Sequence, residues 1–68
     1  MFDTNKVQNA VSGAKQNEAD ALTNAELLLS VDERVEIINK RVEESSDLYA
    51  DMYGVPAGQF LFTLKASL

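Results

Sequence analysis

A repeat of seven residues runs through most of the chain and constrains its fold more than any other feature. Counting in sevens from Val7 and from Ala10 defines two rows, named a and d here. The a row is Val7, Ala14, Ala21, Leu28, Val35, Val42 and Tyr49, and the d row is Ala10, Asn17, Asn24, Val31, Ile38, Ser45 and Met52. Neither row holds a charged residue, although charged residues make up 25% of the chain. A frame kept over this many repeats favours a left-handed coiled coil.

The ends of the predicted helix have local signals. Asp3 suits the N-cap, with Thr4 as the alternative, and Asp3 would set Phe2 against Val7 as a hydrophobic staple. No proline occurs before position 56, and Gly54 can adopt the left-handed conformation that ends a helix. The pattern therefore predicts one helix over residues 4–53, which would be about 75 Å long.

The tail after the helix has a different period. Residues 54–58 predict a turn, and Phe60, Phe62 and Leu64 alternate with more polar neighbours. Alternation predicts a short half-buried strand over residues 59–65, which must pair with a partner strand because a lone strand leaves its backbone unsatisfied. We expect residues 1–53 to form the coiled coil and residues 59–68 to form a tail that sets the register between chains.

A chain of 68 residues rarely builds a sufficient core alone, and this one has no cysteine or histidine to form a disulfide or the commonest metal sites. Self-association is the remaining source of stability. β-Branched Val31 and Ile38 on the d row, with Val35 and Val42 on the a row, favour a parallel homotrimer. A dimer, a helical hairpin and a larger bundle stay open as alternatives.

Two asparagines fall on successive d positions. Copies of Asn17 and Asn24 could bond one another, or hold a water or an anion on the oligomer axis, and so fix the register. The alternative is a loose, hydrated N-terminal half that merely tolerates them.

Apolar residues outside the two rows argue against a bare rod. Leu22, Leu29 and Ile37 lie outside the rows. A second apolar stripe, which predicts contact with more than one neighbour, consists of Val11, Leu22, Ala25 and Leu29. A break near Ser30 would also explain it, because Ser30 and Glu33 have the spacing of a capping box.

The surface near the end of the predicted helix is acidic. Glu43, Glu44, Asp47 and Asp51 lie where the helix dipole disfavours anions, so they are candidates for binding a basic partner or a cation. A solvated acidic face is the simpler interpretation. Further partner-binding candidates are Leu22, Leu29, Ile37, Phe60, Phe62 and Leu64.

Composition excludes several functions. The net charge of −5 argues against nucleic-acid binding, which draws its affinity from Lys and Arg. No apolar run is long enough for a membrane span, and the N-terminus lacks the features of a signal peptide, so we expect synthesis in the cytoplasm and no membrane partner. No catalytic or nucleotide-binding motif occurs, so we expect no enzyme and no cofactor or metal.

The residues 31–42, VDERVEIINKRV, followed by a Gly-Pro turn and the aromatic segment Gln59 to Leu64, resemble trimeric fibrous proteins of bacteriophage virions, such as fibritin-like whiskers, tail needles and head fibres. The resemblance implies that Asn17 and Asn24 correspond to core asparagines of trimeric stalks, where a central anion is sometimes held. It also implies that residues 59–64 register three chains.

Two functions follow from these patterns. The first is a non-enzymatic structural or oligomerisation protein, such as a fibre or connector component of a phage virion. The alternative is a small acidic interaction module, either adaptor or inhibitor, that binds a host or partner protein through the second stripe, the acidic patch and the C-terminal strand.

Overall fold

The computed structural model describes residues 4–68 as a bundle of helices measuring 42 × 20 × 17 Å. In chain order the helices are α1 (Thr4–Asp20), α2 (Asn24–Leu27), α3 (Val31–Glu44), α4 (Ser46–Tyr53) and α5 (Ala57–Ala66). Helix α1 packs against α3 and α5, and α4 also packs against α5. The predicted cap at Asp3 and its staple to Phe2 lie outside the described residues.

Two capped breaks turn the predicted long helix into a folded chain. After α1, the Thr23 hydroxyl accepts a bond from the Glu26 amide while the Glu26 carboxylate accepts one from the Thr23 amide, a complete capping box. At the second break the Ser30 side chain accepts a bond from the Glu33 amide at 3.2 Å and starts α3. The alternative prediction of a break near Ser30 is therefore confirmed. The described chain contains five helices, however, rather than the two that a single break would give.

Helices α3 and α4 follow one another directly and share Ser45, which is the C-cap of α3 and the N-cap of α4. The Ser45 amide donates to the Arg41 carbonyl at 3.1 Å, and the Tyr49 amide donates to the Ser45 carbonyl at 3.0 Å. Ser45 has a φ of −109° and a ψ of 20°, outside the helical region, and this residue separates the two helices. The helix ends as predicted at Gly54, which has a φ of 68° and caps α4 in the left-handed conformation.

The prediction of a strand over residues 59–65 is wrong, because those residues lie within α5. Phe60 and Leu64, four residues apart, are fully buried, whereas Phe62 between them is 71% exposed. A short apolar run fits either period, and packing against α1 and α4 selects the helical one. Pro56 does not prevent a new helix, since it occupies the N-cap of α5, where its missing amide costs nothing.

The core lies where α1, α3, α4 and α5 meet. Its buried hydrophobic residues are Val7, Ala10, Val11, Ala14, Val42, Tyr49, Ala50, Val55, Phe60 and Leu64. Small residues on α1 allow close approach of its neighbours. Gly13 is the tightest case, because a Cβ there would overlap the phenol of Tyr53.

The prediction of one parallel coiled-coil helix over 4–53 is therefore wrong. The chain breaks at residues 21–23 and 28–30 and folds back, so that α1 packs against α3 of the same molecule. Apolar residues spaced by seven suit packing on any neighbouring helix, and the repeat does not distinguish a neighbour in the same chain from one in another copy. The caps at Thr23 and Ser30 favour two new helix starts over one continuous helix, because each cap satisfies amides that a new helix start leaves free.

Candidate interaction surfaces

The start of α3 carries an exposed apolar surface, named here the leucine-valine corner: Leu27, Leu28, Val31 and Val35. Their exposed fractions are 49%, 89%, 64% and 48%. Val31 and Val35 are one helical turn apart on α3, and the two leucines end α2 just before it. These four aliphatic side chains are exposed to solvent and lie close together in sequence. Such a surface is suited to binding another apolar surface.

The α2 part of the corner is positioned by polar contacts rather than by packing. Helix α2 has no buried residue. The Glu26 carboxylate forms an ion pair with the Arg41 guanidinium on α3, which connects α2 to the rest of the bundle. The bond from the Thr23 amide, followed by the bonds from Arg41, lowers the pKa of Glu26 below its ordinary value. The position of α2, and of the two leucines at its end, therefore depends on an ionised Glu26, whereas Val31 and Val35 are held by the packing of α3.

A second exposed apolar surface, the α4 face, consists of Leu48 and Met52 with the acidic residues beside them. Leu48 is 71% exposed and Met52 is 69% exposed. Between α1 and α4 a shallow groove is lined by Asn17, Ser45, Leu48, Tyr49 and Met52. Asp47 and Asp51 are exposed on α4, and Glu44 is exposed at the end of α3. The face thus combines an apolar groove with an acidic border.

The floor of this groove is fixed by Tyr49. Its hydroxyl donates to the Glu18 carboxylate and accepts a bond from Asn17 Nδ2 at 2.8 Å. Its ring stacks on Phe60 with 6.4 Å between centroids. Burial, together with the bond to Glu18, raises the pKa of Tyr49. The phenol therefore stays neutral near pH 7, and it holds the groove floor in place.

The fold divides the residues predicted to form an oligomer core. Buried in the monomer are Val7, Ala10, Ala14, Val42 and Tyr49; partly buried are Ile38 and Ser45; exposed are Asn17, Ala21, Asn24, Leu28, Val31, Val35 and Met52. The first group forms the core of one molecule, and the exposed apolar members contribute to the two surfaces defined above.

The two asparagines do not occupy equivalent layers of one helix. Asn17 lies on α1 and bonds Tyr49 within the same chain, whereas Asn24 is exposed at the start of α2. The predicted site for a water or an anion on an oligomer axis required both asparagines on one continuous helix. The structure has a break between them, so they do not form that arrangement.

The predicted partner-binding residues have different environments. Leu22, Leu29 and Ile37 are partly buried, Phe60 and Leu64 lie in the core, Phe62 is exposed, and Glu43, Glu44, Asp47 and Asp51 are all exposed. The fold brings one cation to the acidic patch, since Lys65 Nζ lies 3.7 Å from Glu43 Oε1. The Tyr49 network was missed, because no spacing in the sequence connects Asn17 and Glu18 to a tyrosine more than thirty residues away.

In residues 4–68, no three side chains among the acids are grouped as ligands for a metal ion. The depressions in this part of the chain are open to solvent, and its carboxylates are mostly exposed. None of the described helices combines the length and the apolar character needed to cross a bilayer.

Comparison with family models, with curated proteins and with solved structures finds no match for this chain. These comparisons therefore do not bear on the resemblance to fibrous virion proteins.

Proposed function

We propose that the chain is a non-enzymatic interaction module that associates with copies of itself through the leucine-valine corner. The observation that carries the proposal is the exposure of four aliphatic side chains on a molecule whose core is already closed. Stability of the monomer gives little reason for Leu28 and Val31, which are 89% and 64% exposed. Burial of these side chains against a second copy of the chain would explain why they are apolar.

The energy available is modest. The exposed fractions at the corner amount to about two and a half whole side chains, at ~2 kcal/mol for each side chain fully buried. Two copies together gain ~10 kcal/mol, which is comparable to the ~4–15 kcal/mol cost of association. The expected complex is therefore weak and forms in a concentration-dependent way.

Charge near the corner adds a specific expectation. Asp32, Glu33 and Glu36 are exposed on the same turns of α3, and association brings the carboxylates of two copies together. Their repulsion opposes association and is screened by salt. Self-association through the corner should therefore strengthen as the ionic strength rises.

Sedimentation equilibrium over a range of protein and salt concentrations tests the proposal. The double variant Leu28→Ser/Val31→Ser should be monomeric at concentrations where the wild type associates. The matched control is Leu48→Ser/Met52→Ser, which removes the other exposed apolar pair and should associate like the wild type. Circular dichroism confirms that both variants keep their helices, since none of the four residues lies in the core. A wild type that stays monomeric throughout, or equal weakening by both variants, would overturn the proposal.

A further inference from the structure

We propose that the α4 face binds a basic amphipathic helix of another protein. The proposal concerns a surface different from the leucine-valine corner and does not depend on self-association. It rests on the shape of the groove, on the type of its apolar residues and on the charge of its border.

Leu48 and Met52 form an apolar strip along one side of the groove. Leu48 and Met52 are spaced by four, so their side chains lie one turn apart along α4. Tyr49 forms the rigid floor, held by Asn17 and Glu18. Methionine is unbranched and polarisable, so Met52 can adapt to apolar side chains of different shape. A partner helix with apolar residues at a spacing of three or four fits this strip.

The acidic border of the groove favours a partner that carries positive charge. Glu44 ends α3 and Asp51 lies in the last turn of α4, two places where the helix dipole disfavours a negative charge. Asp47 lies between them and is also exposed. Arg41 pairs with Glu26, and Lys65 lies beside Glu43. Lys6 Nζ lies near Gly54, just after the last turn of α4. Lysines or arginines flanking the apolar stripe of a partner would relieve this repulsion.

Charge complementarity also distinguishes the possible occupants. A second copy would set like-charged borders against each other, and a nucleic acid or an anionic bilayer would face the carboxylates with phosphates. A basic helix satisfies both the groove and its border. Binding should therefore weaken as salt is added, which is opposite to the salt dependence expected for self-association at the corner.

The test uses two synthetic helical peptides with the same leucine stripe. One carries lysine and the other glutamate at every flanking position. Each is titrated into the ¹⁵N-labelled full chain carrying Leu28→Ser/Val31→Ser, so that self-association through the corner does not compete. Amide chemical shifts report where the peptide binds. The same titration is repeated after adding Leu48→Ser/Met52→Ser, or Asp47→Asn/Asp51→Asn, to this background.

We expect the lysine peptide to shift the amides of α4 and of the end of α1, and the glutamate peptide to leave them unchanged. Loss of Leu48 and Met52 should weaken binding at least about tenfold, and neutralising the two aspartates should weaken it about fivefold at low salt. Three results would overturn the proposal: no shift with the lysine peptide, equal binding of both peptides, or binding that survives the loss of Leu48 and Met52. The third would mark an attraction between charges without a groove-specific contact.

Discussion

Phe60 and Phe62 allow the packing of α5 to be tested with one substitution made at two neighbouring positions. Phe60 is fully buried and stacks on Tyr49, whereas Phe62 is 71% exposed. Truncation of a buried phenylalanine to alanine costs about 3–5 kcal/mol. A chain of this length has a total stability of roughly 3–10 kcal/mol. Phe60→Ala should therefore remove most of the stability, while Phe62→Ala should change it by less than about 0.5 kcal/mol.

Urea unfolding followed by circular dichroism measures the difference directly. Phe60→Leu is the milder variant, expected to lose about 1 kcal/mol and still fold, so a free energy can be obtained even if Phe60→Ala does not fold. A strand with period two would place both phenylalanines on the same face and predict similar losses for the two alanine variants. Equal losses at positions 60 and 62 would therefore refute the helical packing of α5 described above.

Three other predictions concern the backbone and two ionisable groups. Gly13→Ala should destabilise the fold because its Cβ overlaps an aromatic ring, whereas Gly58→Ala, with open space around it, should stabilise it by about 0.5–1 kcal/mol in thermal unfolding. Because the pKa of Glu26 is lowered in the folded chain, the ionised group stabilises the fold above its ordinary pKa, and this stability is lost as pH falls through the lowered pKa. The melting temperatures of wild type and Glu26→Gln should therefore differ near neutral pH and approach each other as the solution is acidified. Because the pKa of Tyr49 is raised, its tyrosinate absorbance should appear above the usual pH range, and stability should fall above about pH 10 in the wild type more than in Tyr49→Phe.

Local chemistry in the sequence predicted the elements of this fold better than their arrangement. The helix stop at Gly54 and the helix start at Ser30 were both visible, because each depends on one or two residues and their backbone. The spacing of Thr23 and Glu26 carries the same signal. Two capping-box spacings within residues 23–33 indicate that a helix restarts twice, even where neither glycine nor proline occurs.

The error in architecture has a physical origin. A row of apolar residues specifies that a helix face is buried, not which molecule buries it. Val42 and Val35 occupy equivalent positions in the repeat, yet Val42 is fully buried inside one chain and Val35 is 48% exposed. The difference comes from the neighbouring helices, because Val42 lies in the core whereas Val35 lines an open depression between α1 and α3. The acidic residues of the α4 face were identified from sequence, whereas the groove beside them depends on contacts between α1 and α4.

Helix α2 buries nothing and is connected to the bundle mainly through Glu26 and Arg41. The segment that connects α1 to α3, residues 21–30, therefore adds little to the stability of the bundle. The remaining helices would keep their contacts if a peptide bond in this segment were cut. Residues 21–30 are accordingly the place where a protease should nick the native molecule first, and where extra residues could be inserted at the lowest cost to the fold. An insertion there would also move Leu27 and Leu28 relative to Val31 and Val35, which stay on α3, without altering the core.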